Sequence, residues 1–236
     1  MTTISEFCMI ELIKNTKMRQ QESYRMKVIL VNGSPHKHGS THAALQVAEQ
    51  VLQEHGIDTE MYWMGNQAIV GCTGCGQCRQ LKKCTFEDVV NEFRPKIEEA
   101  DGFVFGTPVH YAAASGAFTS FMDRLFYSEG GRNGGADLRL KPVANLAIAR
   151  RGGISATLDQ MNKYPTISEM PLVSSSYWNM VHGASAEDIA VDEEGVHTVQ
   201  VLARNLIYQL QCIEAGRAAG VERPEKARKP WTNFVR

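Results

Sequence analysis

Apolar runs without polar alternation take turns along this chain with segments whose apolar positions recur every three or four residues. Met26-Lys27-Val28-Ile29-Leu30-Val31-Asn32 is the first such run, and it reads as a strand buried on both faces of a parallel sheet. Ala44, Leu45, Ala48, Val51 and Leu52 then share one helical face, with Gly56 as a stop. Residues 58–64 form the second predicted strand. Phe86, Val89, Val90, Phe93 and Ile97 mark the next helix, opened by a capping box of Thr85 and Asp88 and kinked or divided at Pro95. Residues 101–106 are a third strand running into Thr107-Pro108-Val109-His110-Tyr111. A helix over 116–127 turns Phe118, Phe121, Met122 and Leu125 inward, and glycine-rich 130–135 reads as a loop. A fourth strand over 142–149 ends in Arg150-Arg151-Gly152-Gly153. A helix over 154–165 and a fifth strand over 170–174 follow. Val199, Leu202, Ala203, Leu206, Ile207, Leu210 and Ile213 give the last long helix its apolar face.

Strands alternating with helices predict a three-layer α/β sandwich around a five-stranded parallel sheet, in one domain over 26–216. Residues 1–25 contain neither Gly nor Pro and read as a peripheral extension, with Ile10, Ile13 and Met18 suiting a short amphipathic helix and Cys8 a lone thiol. The tail over 217–236 carries six Lys or Arg against two Glu. In parallel sheets ligands bind beyond the carboxyl ends of the strands. The loops 33–41, 107–115 and 150–153 meet at that edge.

Composition narrows the function classes. The 236 residues are 43% hydrophobic and 22% charged, with a net charge of −1. That balance offers no general attraction to nucleic acid or an anionic membrane. No apolar run approaches the roughly 20 residues that cross a bilayer. The amino terminus lacks the basic start and apolar stretch of a signal peptide, so a cytoplasmic location is expected. In a reducing compartment, clustered cysteines point to metal binding or catalysis before structural disulfides. Four of the six cysteines, Cys72, Cys75, Cys78 and Cys84, are spaced C-x2-C-x2-C-x5-C.

Loop 33–41 joins a buried strand to a helix amino terminus, where free N–H groups and the helix dipole favour an anion. Ser34, Ser40 and Thr41 add hydroxyls, and Gly33 and Gly39 allow a tight path. The loop lacks the Gly-Lys of a Walker A loop and the second glycine of a dinucleotide fingerprint, so it suits a single phosphate monoester. An ordinary helix cap at Ser40 is the simpler alternative.

Gly33-Ser34-Pro35, Gly39-Ser40-Thr41 and Thr107-Pro108-Val109-His110-Tyr111 together resemble the NAD(P)H-dependent FMN reductase family. With the cysteine spacing added, the chain resembles its iron–sulfur flavoprotein branch, over about residues 26–183. The resemblance implies a flavodoxin-like fold, with the first loop on the FMN phosphate through Ser34, His36, Gly39, Ser40 and Thr41. His36 stands where relatives usually have Arg, and Ser40 where they have Asn. Pro108, Val109, His110 and Tyr111 would wrap the ribityl chain and one flavin edge, with His110 in place of a common Tyr. Gly152 and Gly153, with Arg150 or Arg151, would face the flavin pyrimidine. For Cys72, Cys75, Cys78 and Cys84 three readings stay open: a [4Fe–4S] cluster, free thiols with a transient disulfide, or zinc.

The implied enzyme takes hydride from NAD(P)H onto FMN and passes electrons to a quinone, an azo or nitro aromatic, a flavin or a protein, working as a homodimer or homotetramer. An electron carrier between protein partners such as ferredoxin is the alternative, and a redox sensor working through the thiols a third. Trp178 and His182 lie in a stretch that relatives place near the flavin, although core packing is the simpler expectation. Asp123 and Arg124 read as a structural ion pair and Cys212 as a buried thiol. No Ser-His-Asp or paired-carboxylate spacing argues for hydrolysis.

Overall fold

The computed structural model describes residues 25–227 together with 230 and 232, so the expectations for residues 1–24 lie outside the described residues. Five parallel strands form the sheet, in the order β2 (Asp58–Trp63), β1 (Lys27–Asn32), β3 (Gly102–His110), β5 (Val143–Ala149), β6 (Met180–His182). A sixth, β4 (Ala113–Ala114), folds back antiparallel onto the end of β3. The helices are α1 (Ser40–Glu54), α2 (Cys78–Leu81), α3 (Val89–Glu99), α4 (Gly116–Asn133), α5 (Ile154–Ile167), α6 (Ala186–Val191) and α7 (Glu193–Ala218).

One apolar cluster joins α1 and α7 to a face of β1 and β5, and a second joins α3 and α4 to the opposite face of β1 and β3. Val28 to Val31 are fully buried between them, as the unalternated run requires. This is the three-layer parallel sandwich expected of the sequence. Among the described residues no helix is long and apolar enough to cross a membrane.

Several expectations change. The fifth parallel strand is 180–182, not 170–174, where only Leu172 bridges Val143. The contact consists of Val143 N donating to the Pro171 carbonyl and Val173 N to the Val143 carbonyl, and it goes no further because Pro171 has no N–H to extend it backward and the Val173 carbonyl accepts from Asn179 Nδ2. The glycine-rich stretch does not break α4, which runs on to Asn133 and closes at Gly134 in the left-handed region. Gly131 is there for contact, because a Cβ on it would sit 2.7 Å from Cys78 Sγ. Asp88, not Thr85, caps α3, accepting from Val90 N, and α3 continues through Pro95. Cys212 and Ile213 are exposed, because the buried stripe of α7 ends at Leu210. Trp178 is 62% exposed and packs edge-on against Tyr177, not in the core.

Candidate functional site

At the carboxyl end of β1, Asn32 is completely buried and organises the loop that follows. Its Oδ1 accepts from Ser34 N at 3.0 Å, and its Nδ2 donates to the carbonyls of His36 and Lys37 at 3.4 and 3.2 Å. Ser34 Oγ accepts from His36 N at 3.1 Å, and Trp63 Nε1 donates to the Ser34 carbonyl at 2.9 Å. Gly33 lies in van der Waals contact with Phe118 and is bonded through its N–H to the Gly106 carbonyl, so a Cβ there has no room. The loop's path is held by its own hydrogen bonds and by packing on Phe118. A polar residue closing an apolar run was the signal for Asn32 in the sequence.

Gly39, not Ser40, is the N-cap of α1, and no side chain caps the helix. No acidic residue occupies the first turn, so the open N–H groups keep their full attraction for an anion. Thr41 is fully buried, and its Oγ1 has no hydrogen-bond partner. A buried hydroxyl left so costs on the order of 1–3 kcal/mol, which a ligand oxygen would relieve.

The second loop is a two-residue hairpin, with His110 facing Ala113 and Val109 facing Ala114. Its tip residues Tyr111 and Ala112 have φ of 50° and 61°, in the left-handed region that normally selects Asn-Gly. Strain of this kind, about 1–3 kcal/mol per residue, concentrates at ligand sites. Tyr111 projects fully into solvent. Ser115 joins this loop to the first, since its Oγ donates to the Gly33 carbonyl at 3.3 Å while accepting from Phe118 N as the cap of α4. Gln160 of α5 accepts from Ala114 N at 3.2 Å.

Gly153 caps α5 with φ of 93°, again with no side-chain bond, and a Cβ there would lie 2.5 Å from Ala112 Cα. The third loop therefore seats directly on the hairpin. Ser34, His36, Gly39, Ser40, Pro108, Val109 and His110 line one cleft of about 410 Å³, closed on its other side by Arg150 and Gly183. Tyr111, Gly152, Gly153 and buried Thr41 belong to the same loops without lining this cleft.

The four cysteines line a second, smaller pocket together with Arg124, Tyr127 and Ser128 of α4. Cys78 is buried on α2, Cys84 is half-buried, and Cys72 and Cys75 are exposed. Gly74 and Gly76, both at positive φ, flank Cys75. Hydrogen bonds from the Gln77 backbone and then the Thr73 and Thr85 hydroxyls hold the Cys75 thiol below its ordinary pKa, whereas burial pushes that of Cys78 up. Asn91 fixes the Cys84 backbone, accepting from its N–H at 3.1 Å and donating to its carbonyl at 2.9 Å. Arg124 pairs with Asp88, not with its neighbour Asp123, which accepts from Tyr164 OH.

Among the described residues no three His, Cys, Asp or Glu side chains converge tightly enough for a single metal ion. Four thiols around one pocket are the donor type that an iron–sulfur cluster takes. Arg124 lies nine residues beyond Ser115, about 14 Å down α4 from the loops at the strand ends.

Residues 26–185 match the model of the NADPH-dependent FMN reductase family. An iron–sulfur flavoprotein of Methanocaldococcus jannaschii is 30% identical over 196 residues, covering 80% of this chain and 100% of that protein. An iron–sulfur flavoprotein of Methanosarcina thermophila is 27% identical over 195 residues, covering 81% and 99%. Among solved structures, the flavoenzyme NAD(P)H:acceptor oxidoreductase of Paracoccus denitrificans aligns with a TM-score of 0.58 at 15% identity, over 80% of this chain and 98% of that one.

Proposed function

Since the chain belongs to the NADPH-dependent FMN reductase family, and within it to the iron–sulfur flavoprotein branch, we propose that its cleft holds FMN and takes electrons from NAD(P)H. The flavodoxin-like fold and a flavin-dependent oxidoreductase activity come with the family. The finer reading rests on the uncapped, acid-free start of α1 beside the buried, unpartnered hydroxyl of Thr41.

In this reading the open N–H groups of α1, with Ser34, Ser40 and Thr41, bind the phosphate, and His36 sits at its rim. Pro108, Val109, His110 and Tyr111 border the ribityl chain and the ring edge. The N–H groups at Gly152 and Gly153 stabilise negative charge on the pyrimidine side, with Arg150 in the cleft wall. When bound, FMN supplies hydride acceptance at N5 and transfer of electrons to a second acceptor. No side chain is assigned a proton-transfer role.

Cys72, Cys75, Cys78 and Cys84 hold a [4Fe–4S] cluster, which supplies one-electron transfer. The acceptor is a quinone, an azo or nitro aromatic, a flavin or a protein. The exposed Tyr111 on a strained hairpin supports a homodimer or homotetramer in which a neighbouring copy covers the flavin. A cytoplasmic setting keeps the thiols reduced.

The test is anaerobic mixing of purified protein with NADPH or NADH. Bleaching of the flavin absorbance on the timescale of turnover supports the reductase. Absence of bleaching with both nucleotides, alongside rapid reduction by ferredoxin, would instead establish an electron carrier.

A further inference from the structure

The geometry points to Arg124 as the positioning residue of the cysteine pocket: its guanidinium fixes Cys84 and, through an N–H···S bond, favours the reduced form of a cluster held there. This inference rests on the cluster reading above.

Arg124 is 1% exposed, and a guanidinium carries five N–H donors. Every one has a partner. Nε donates to Cys84 Sγ at 3.3 Å. One terminal nitrogen donates to Asp88 Oδ2 at 2.6 Å and to the Val70 carbonyl at 3.3 Å. The other donates to Asp88 Oδ1 at 2.8 Å and to the Phe86 carbonyl at 3.2 Å. The guanidinium also lies 5.0 Å from the centre of the Phe86 ring. Val70 precedes the first of the four cysteines, and Cys84, Phe86 and Asp88 follow or include the last. A single side chain on α4 thus ties down both ends of the segment that carries the thiols.

The bidentate pair with Asp88 fixes the plane of the fork, so Nε–H has one direction left, toward sulfur. Cys72 and Cys75, exposed and next to positive-φ glycines, supply the adjustable half of the donor set. One-electron reduction adds a negative charge to a cluster and its thiolates, with no proton required. A fixed N–H aimed at one of those sulfurs is stronger when that charge is present, and such bonds raise cluster potentials. A purely structural Arg124 would join α4 to Asp88 and leave the potential unaffected.

The experiment is an anaerobic dithionite titration of cluster-loaded full-length protein, followed by its visible and electron-spin signals, with iron counted per chain. Arg124→Lys keeps the charge and can face Asp88 but cannot present the planar fork to Asp88 and Cys84 together. It is expected to keep the iron content of the wild type while one-electron reduction becomes about tenfold less favourable, a fall of about 59 mV. Asp88→Asn retains an oxygen for the α3 cap and leaves the guanidinium charge uncompensated, so its midpoint moves upward. Should Arg124→Lys not fold, the Asp88→Asn shift decides alone. Iron-loaded variants with the wild-type midpoint overturn the inference and leave the cluster reading intact. Wild-type protein that takes up no iron overturns the cluster reading, and the inference falls with it.

Discussion

The cleft at the strand ends and the cysteine pocket are joined through α4, whose N-cap Ser115 bonds to the Gly33 carbonyl and whose Arg124, Tyr127 and Ser128 line the pocket, yet they are built in opposite ways. The cleft is made of backbone: strand ends, two uncapped helix starts and a strained hairpin, locked by buried Asn32 and Ser115 and by half-buried Gln160. The pocket is made of side chains on an irregular segment, half of them exposed, held from a distance by Arg124 and Asn91. A backbone site is preformed and tolerates side-chain changes that leave its path intact. A side-chain site depends on its anchors. The two should therefore fail separately, and in different ways.

The sharpest separation comes from Cys78→Ala. Iron should drop from about four per chain to near zero while flavin stays at one per chain, as read by metal analysis and absorbance. Equal loss of both would show that the regions are one site. Gly33→Ala attacks the other side: the new Cβ meets the Phe118 ring and stands 2.8 Å from the Gly106 carbonyl. Overpacking of this kind costs about 1–3 kcal/mol, so the urea midpoint should fall and flavin retention with it. The cysteine pocket should still load iron.

Thr41→Val is gentler and more diagnostic. Removing an unpartnered buried hydroxyl should leave the flavin-free chain as stable as the wild type or more stable by about 1 kcal/mol. FMN affinity should weaken by about tenfold, the loss of one hydrogen bond of about 1.4 kcal/mol. Titration of the flavin-free protein with FMN, set beside urea melts, checks both halves.

The smallest effect concerns Glu129, buried on α4 directly after Ser128 of the cysteine pocket. Burial raises its carboxyl pKa, and the nearby Arg132 and Arg94 only partly oppose that. A raised folded-state pKa means stability fully present below the unfolded value and lost as pH rises through the folded one. Glu129→Gln should thus flatten the fall in stability above the ordinary carboxylate range, with its largest relative benefit at neutral pH. A pH series of melts would detect it, and FMN binding should not respond.

The same contrast explains what the sequence could reveal. Loops 33–41, 107–111 and 150–153 are legible because backbone sites demand particular residues at fixed offsets from strands, and those offsets survive folding. The cysteine spacing is legible for the same local reason. Arg124 is not, because its partners Cys84 and Asp88 lie 40 and 36 residues away and only packing brings them together. Adjacency suggested Asp123 instead. Gly130 and Gly131 look like a loop, since composition does not distinguish a glycine that breaks a helix from one that lets α2 approach it. Apolarity alone places the last parallel strand at 170–174. Pairing belongs to the short 180–182, where free N–H groups meet the second half of β5.

Two redox centres are proposed in one chain, a flavin on the strand-end loops and a cluster on the four cysteines. The visible spectrum of anaerobically purified, reconstituted protein, with flavin and iron counted, tests them most directly. Flavin bands near one per chain, over a broad absorbance near 400 nm with about four irons, is the predicted result. Flavin bands with no iron would contradict the second centre, and iron without flavin would contradict the first.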